Sequence, residues 1–236
     1  MSKTNGPRLI VALDSDSREQ LLGWVDRLDP ALCRLKVGKQ AFTCFGPELI
    51  VQLHQRGFEV FLDLKFHDIP NTVASAVAAV AELGVWMTNV HAMGGARMMS
   101  AAAEAAAKVN PNMHLIAVTV LTSHAEGELA FLGVESNAAL VERLTGLAIE
   151  SGMHGVVCSA REASVLRERY GATPVLVTPG IRPSGVAAGD QRRTMTPAEA
   201  IAAGADYLVV GRPVTQSDNP CRTLLTINEE ISHSSG

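Results

Sequence analysis

Three ionisable side chains lie close together where a predicted strand runs into a loop. Asp63 and Lys65 are two residues apart, and Asp68 follows in the loop. Side chains two apart on a strand point to the same face, so Asp63 and Lys65 should project together, beside Lys36 on the neighbouring predicted strand. Alternating charges of this kind are costly to desolvate, and apolar side chains would fill the same space at a lower cost. The array therefore indicates a site where charged groups act on a substrate, the alternative being a salt-bridge ladder that closes one end of the fold.

Two segments that combine glycine with arginine predict a phosphate-binding site. Gly211 and Arg212 end the last predicted strand, and the segment Thr178-Pro-Gly-Ile-Arg182 opens a long loop. Glycine lets backbone N–H groups approach phosphate oxygens, and arginine supplies paired donors. The alternative is an ordinary turn with solvated arginines, which is the interpretation we prefer for Arg192 and Arg193.

The histidines and cysteines give weaker signals. His67 and His91 lie at predicted strand ends, where a lone histidine more often makes a structural hydrogen bond than it performs acid–base catalysis. The cysteines have neither C-x-x-C spacing nor a histidine partner at a zinc-site interval, so we predict neither a disulfide framework nor a structural metal. We expect all four to be buried free thiols: Cys33, Cys44, Cys158 and Cys221.

The elements that must position these residues alternate regularly along the chain. Eight short β-branched or leucine-rich runs are predicted strands, at residues 9–13, 34–37, 59–63, 87–90, 115–120, 155–158, 174–177 and 207–210. Eight alanine-rich runs are predicted helices, at residues 17–28, 47–55, 71–83, 97–109, 137–151, 160–170, 197–203 and 220–231. A glycine follows five of these helices, as a left-handed C-cap requires.

Eight strand–helix pairs predict a single-domain (β/α)8 TIM barrel with a parallel eight-stranded sheet over residues 1–236. Three stretches are longer than a tight connection, at residues 39–45, 123–136 and 178–196. The first two are interpreted as insertions. Active sites of this fold form at the carboxyl ends of the strands, where the polar residues above are predicted to lie.

Composition limits the classes of partner. The chain has 236 residues, of which 47% are hydrophobic, and its 20 Lys and Arg against 24 Asp and Glu give a net charge of −4. The basic residues form no run that would follow a phosphate backbone, so we expect no nucleic-acid partner. No apolar stretch is long enough for a membrane span, and the N-terminal apolar run is too short for a signal peptide. We therefore expect a cytoplasmic protein without a membrane partner.

Six segments in order resemble the bacterial orotidine 5′-phosphate decarboxylase family over nearly the whole chain. The segments are Val11-Ala-Leu-Asp14, Leu35-Lys-Val-Gly-Lys39, Asp63-Leu-Lys-Phe-His-Asp-Ile-Pro-Asn-Thr72, Val118-Thr-Val-Leu-Thr-Ser123, Thr178-Pro-Gly-Ile-Arg182 and Val210-Gly-Arg212. The resemblance implies loss of CO2 from C6 of orotidine 5′-monophosphate to give uridine 5′-monophosphate, in pyrimidine synthesis. It implies no cofactor and no metal.

The resemblance also implies roles for individual residues. Lys65 would donate a proton to the C6 carbanion, Asp63 would lie against the substrate carboxylate, and Lys36 would bridge Asp63 and the ribose hydroxyls. Asp14 would bind the ribose.

The remaining implied roles concern the second subunit, the base and the phosphate. In the family, the residues matching Asp68 and Thr72 complete the site of the other subunit of a homodimer, which the apolar stretch 73–81 would help to form. Thr122 would contact the pyrimidine, and Gln191 would link a closing loop to phosphate and base. The phosphate would be held by Arg182, Gly211 and Arg212.

Two alternatives remain at this point. A magnesium-dependent sugar-phosphate decarboxylase or aldolase of the same superfamily would use the carboxylates to hold a metal. The second alternative is a barrel that binds a phosphate ligand without turnover, because a fold alone does not confer a function.

Overall fold

A computed structural model describes residues 6–134, 136–183 and 195–233 of the chain. Within these residues, eight parallel strands form a closed barrel in which each strand pairs with the next along the chain and the last pairs with the first. The strands are β1 (Leu9–Leu13), β2 (Arg34–Gly38), β3 (Val60–Phe66), β4 (Met87–His91), β5 (His114–Val118), β6 (Gly155–Val157), β7 (Val175–Thr178) and β8 (Tyr207–Val210). The predicted (β/α)8 TIM-barrel fold is confirmed; the single domain over residues 1–236 stays a prediction.

Helices surround the barrel and follow its strands. In the described part of the chain they are α1 (Arg18–Val25), α2 (Lys39–Phe45), α3 (Pro47–Gln55), α4 (Pro70–Glu82), α5 (Gly95–Val109), α6 (Asn137–Glu150), α7 (Ala160–Tyr170), α8 (Pro197–Ala202), α9 (Arg212–Thr215) and α10 (Pro220–His233). Short 3-10 turns cover Ala92–Gly94 and Ala130–Leu132.

Local sequence explains where several helices begin and end. Ser159 with Glu162 and Thr196 with Glu199 form capping boxes at the starts of α7 and α8, so the first free N–H groups are satisfied. The five glycines predicted to end helices all have φ between +60° and +105°, a range that side chains with a Cβ avoid. These five are Gly57, Gly84, Gly152, Gly171 and Gly204.

The stretch 39–45, interpreted as an insertion, is helix α2, an additional helix between β2 and α3. The expectation that all four cysteines are buried is wrong in part. Cys33 and Cys158 are buried free thiols as expected, but Cys44 is exposed and Cys221 half-buried. Cys44 lies on α2, where only Ala41 is buried, so its side chain is on the outer face of the helix.

The hydrophobic core has two parts, one outside the barrel and one inside it. The larger part packs between the barrel and its helices. The smaller part contains Ile10, Phe61, Met87 and Ile116 and fills the barrel interior below its carboxyl end. Within the described residues, no helix is both long and apolar enough to cross a membrane.

Candidate active site

A cavity of about 320 Å³ opens at the carboxyl end of the barrel. Its floor is apolar and includes Ala12, Phe61 and Val209. Eight of the residues predicted for the site line it: Asp14, Lys36, Asp63, Lys65, Thr122, Arg182, Gly211 and Arg212. The structure therefore brings together residues that the sequence distributes over six strand ends.

The charged side chains of the cavity form a network centred on Asp63. Lys65 Nζ donates to Asp63 Oδ1 at 2.6 Å, and Lys36 Nζ lies 3.3 Å from Asp63 Oδ2. Lys36 Nζ also lies 3.6 Å from Asp14 Oδ1, on the more exposed side. Carboxylate and ammonium groups thus alternate along one wall, as the sequence predicts.

Asp63 is an ionised carboxylate in a buried position. Burial alone would raise the pKa of Asp63, but the charges of Lys36 and Lys65 and the hydrogen bonds from Lys65 and Asn89 outweigh it and lower the pKa below its ordinary value. The carboxylate therefore stays negative at neutral pH and holds both ammonium groups in place.

Asp63 and Lys65 meet through an irregular strand and not through regular strand geometry. Leu62 pairs with Thr88, whereas the next paired residue of β3 is Phe66, with Val90 as its partner. Within this bulge Lys65 has φ of +53°, and it is the one residue other than glycine with positive φ in the described part of the chain. Such a backbone costs of order 1–3 kcal/mol and persists only when its surroundings enforce it.

A glycine at the end of β2 makes room for the network. A Cβ on Gly38 would lie 3.2 Å from both Asp14 Oδ1 and Lys36 Nζ, closer than most side-chain contacts. Any larger residue would press on the side chains of Asp14 and Lys36, and Lys36 is the one that reaches Asp63.

The other wall of the cavity carries two arginines. Arg182 follows β7 and Arg212 follows β8, and both line the cavity with Pro179 and Gly180. Burial lowers the pKa of Arg182, and repulsion from the nearby Arg212 lowers it further. A pair of guanidinium groups in one cavity is suited to an anion such as a phosphate. The backbone N–H of Arg182 donates to the carbonyl of Met195 at 3.0 Å.

Other predicted site residues lie elsewhere. Asp68 and Thr72 are exposed and do not line the cavity, and Asp68 Oδ1 accepts a hydrogen bond from the N–H of Ile69. Gln191, Arg192 and Arg193 lie outside the described residues.

The apolar stretch 73–81 has a buried face and an outer face. Its valines and Ala81 are buried in the core of the same chain, whereas Ser75 and Ala79 are exposed. Its part in a dimer stays a prediction. Large exposed apolar side chains lie on the loops after β3, β4 and β5: Ile69, Met93, Leu121, Phe131 and Leu132. Met93, Leu121 and Leu132 line a cavity of about 250 Å³ together with His67 and His91, whose rings stack at 5.6 Å.

One buried polar residue of the network was missed by sequence reasoning. Asn89 Nδ2 donates to Asp63 Oδ1 at 2.7 Å, and Asn89 Oδ1 accepts from the backbone N–H of Lys65 at 2.7 Å. An amide in the middle of a buried strand was the available signal.

A larger cavity, of about 620 Å³, lies between α6 and α7. It is lined by side chains of mixed charge and by small apolar residues, including Glu126, Ala139, Arg161 and Val165. No buried charged network converges there, so we regard the smaller cavity at the barrel end as the functional site.

The described residues contain no group of three or more His, Cys, Asp or Glu side chains that could hold a metal ion. Asp63 and Asp14 contact the ammonium groups of Lys36 and Lys65 and not other carboxylates. The donor set around the cavity thus favours an anionic ligand over a divalent cation.

Known proteins resemble the chain over nearly its whole length. A model of the orotidine 5′-phosphate decarboxylase / HUMPS family matches residues 7–227. An orotidine 5′-phosphate decarboxylase of Escherichia fergusonii is 60% identical over 230 residues, which are 97% of this chain and 94% of the relative.

Two solved structures share the fold. That of orotidine 5′-phosphate decarboxylase from Lactobacillus acidophilus aligns with a TM-score of 0.85 and 37% identity, covering 96% of this chain and 99% of that one. An uncharacterized conserved protein from Geobacillus kaustophilus aligns with a TM-score of 0.82 and 38% identity, covering 94% and 99%.

Proposed function

The chain belongs to the orotidine 5′-phosphate decarboxylase / HUMPS family, and from this premise we propose that it converts orotidine 5′-monophosphate to uridine 5′-monophosphate and CO2. It is a carboxy-lyase of pyrimidine nucleotide synthesis, acting in the cytoplasm without a cofactor or metal. The observation that carries the proposal is the Lys36–Asp63–Lys65 network at one wall of a cavity whose other wall has Arg182 and Arg212.

Lys65 supplies the proton in this reaction. The bond between C6 and the carboxylate carbon breaks, its electron pair stays on C6, and CO2 leaves. This lone pair lies in the plane of the ring and cannot delocalise into the ring carbonyls, so the barrier to decarboxylation is very high without a catalyst. The enzyme must lower this barrier by about 20 kcal/mol or more. The ammonium group of Lys65 stabilises the charge and transfers a proton to C6, after which solvent reprotonates the amine.

Asp63 and Lys36 prepare the site for this step. The negative Asp63 holds Lys65 by the 2.6 Å hydrogen bond and lies against the substrate carboxylate, where it favours departure of CO2. Lys36 connects Asp63 to the ribose hydroxyls, and Asp14 accepts from the ribose. Thr122 faces the pyrimidine from the loop after β5.

The arginine wall holds the phosphate. Arg182 and Arg212 bind its oxygens, and Gly211 leaves space for the approach of these oxygens. Gln191, which lies outside the described residues, links phosphate and base. Binding of this remote group contributes to the rate because its free energy organises the site before decarboxylation.

A second copy of the chain completes each site. Asp68 and Thr72 are exposed in the single chain, and exposed apolar side chains lie on loops at the same end of the barrel. We propose a homodimer in which these apolar groups are covered and in which Asp68 and Thr72 enter the partner's cavity. No nucleic acid or membrane takes part.

Two tests separate this function from the alternatives. Loss of the ultraviolet absorbance of orotidine 5′-monophosphate is measured with the purified protein in excess EDTA, together with the Lys65→Ala variant. Rapid loss with the parent and almost none with the variant would support metal-free decarboxylation through Lys65. A magnesium-dependent sugar-phosphate lyase would be inactive in EDTA, and a non-catalytic binding barrel would show no turnover under any of these conditions.

A further inference from the structure

Asn89 lies at the point where the sheet is irregular. It is fully buried in the middle of β4, between Thr88 and Val90, which pair with Leu62 and Phe66 of β3. Three residues of β3 therefore lie opposite Asn89 alone, and the regular ladder of backbone hydrogen bonds is interrupted there.

The side chain of Asn89 replaces part of this ladder. Its carbonyl oxygen accepts from the backbone N–H of Lys65, and its amide nitrogen donates to Asp63 Oδ1, both at 2.7 Å. The planar amide of Asn89 thus contacts both the main chain of Lys65 and the carboxylate of Asp63, to which Lys65 Nζ donates.

We propose that Asn89 is a positioning residue, which holds Lys65 in its left-handed backbone conformation and holds Asp63 in the orientation that directs the Lys65 ammonium into the cavity. The proposal rests on the decarboxylation proposed above. Asn89 does not line the cavity and does not touch substrate; it acts through the two residues that do.

The chemistry of the amide explains why asparagine suits this position. The interaction needs an acceptor for an N–H and a donor for a carboxylate at a fixed separation, and a primary amide carries one of each. Leucine has nearly the same shape but provides neither group, and it would leave the Lys65 N–H without a partner. Aspartate keeps the acceptor, but it can donate to Asp63 only when it is protonated.

The experiment compares Asn89→Leu and Asn89→Asp with Thr88→Val as a matched control. Thr88 is equally buried on the same strand and donates to the carbonyl of Leu62, outside the charged network. We expect Asn89→Leu to lower kcat about 10²-fold with little change in KM, because a displacement of about 1 Å in a reacting group has this effect. Thr88→Val should keep the parental kcat.

The pH profile of Asn89→Asp provides a readout that a merely structural role would not change. The introduced carboxyl group would face Asp63, Lys36 and Lys65, and protonation restores its ability to donate to Asp63. The ratio of its kcat to that of the parent should rise as the pH falls, while the ratio for Asn89→Leu stays constant. If Asn89→Leu does not fold, the pH profile of Asn89→Asp still tests the proposal.

A double-mutant cycle tests whether the effect passes through Lys65. In a Lys65→Ala background, substitution of Asn89 should cause a much smaller further loss of kcat than in the parent, since only Asp63 remains of the two residues that it positions. A parental kcat in Asn89→Leu, an equal loss in Thr88→Val, or independent losses in the cycle would overturn the proposal.

Failure of the proposed function would be recognised separately. If the parent does not decarboxylate orotidine 5′-monophosphate, the positioning of Lys65 is measured by amide hydrogen exchange. The Lys65 N–H should be protected in the parent and in Thr88→Val and should exchange at least tenfold faster in Asn89→Leu. Equal protection in all three proteins would overturn the inference whatever the enzyme's substrate.

Discussion

The guanidinium of Arg34 lies 4.1 Å from the centroid of the Trp86 ring, at the amino end of the barrel and opposite the cavity. Arg34 is buried, with 2% of its surface exposed. Its Nη2 lies 2.6 Å from Glu59 Oε2, its Nη1 donates to the carbonyl of Pro7, and the Tyr207 ring lies 5.3 Å away. An ion pair, hydrogen bonds and two aromatic faces thus compensate one buried charge and close this end of the barrel.

Replacement of Arg34 should affect stability and leave catalysis unchanged. We expect Arg34→Met to lower the free energy of unfolding by about 2–3 kcal/mol, because it removes a buried charge-assisted network while leaving the half-exposed Glu59 able to reach water. Urea denaturation measures this loss, and kcat should stay within twofold of the parent. Arg56→Met is the control, since its pair with Asp26 is solvent-exposed and should contribute less than about 1 kcal/mol. Equal losses of unfolding free energy in Arg34→Met and Arg56→Met would contradict a stabilising role for the buried network of Arg34.

The barrel and the meeting of its charged residues could be predicted from sequence. Parallel strands bring their carboxyl ends to one edge, so residues at strand ends such as Lys36, Asp63 and Arg212 must approach each other once eight strands are recognised. The predicted bounds of the first and last strands agree with β1 and β8 as observed.

The local irregularities could not be predicted from sequence. The left-handed backbone of Lys65 has no local signal, since its neighbours are Leu64 and Phe66 and neither glycine nor asparagine is next to it. The backbone N–H of Lys65 donates to the side-chain oxygen of Asn89, 24 residues away, and this is a tertiary contact that no local pattern predicts. The exposed apolar groups at the carboxyl end of the barrel are likewise scattered over three loops, so no periodic pattern identifies them.

The arginine wall provides a prediction about binding. Arg212→Ala should raise KM for orotidine 5′-monophosphate about 10–100-fold and weaken inhibition by the product similarly, because charge-assisted hydrogen bonds contribute about 1.5–3 kcal/mol. Steady-state kinetics measures both effects. Arg161→Ala, in the larger cavity between α6 and α7, should leave both values unchanged. A larger effect from Arg161→Ala than from Arg212→Ala would mean that the substrate binds in the other cavity.

Two inactive variants should restore activity in each other if sites are shared between subunits. Lys65→Ala and Asp68→Asn should each be nearly inactive alone. After dissociation and random re-pairing of equal amounts, about a quarter of the parental activity should return, because half of the dimers are mixed and each has one intact site of two.

The pattern of complementation identifies which chain supplies each residue. Lys65→Ala mixed with Lys36→Ala serves as the control, because both residues lie in the same cavity and no mixed dimer then has an intact site. If the first mixture stays as inactive as this control, Asp68 acts within its own chain or not at all.

The pH dependence of stability provides the last prediction, which concerns His91. Burial, with repulsion from His67 and Lys65, lowers the pKa of His91 to about 4 from its ordinary value of 6.5. Between these two pH values the unfolded chain binds a proton that the folded chain does not, so stability falls as the pH is lowered through this window. Thermal unfolding followed from pH 7.5 to 4.5 should therefore show a shallower decrease of Tm for His91→Gln than for the parent. A remaining slope is expected from His54 and His114, whose pKa values are also lowered by burial. Parallel Tm curves for parent and variant would mean that His91 is protonated equally in the folded and unfolded chains.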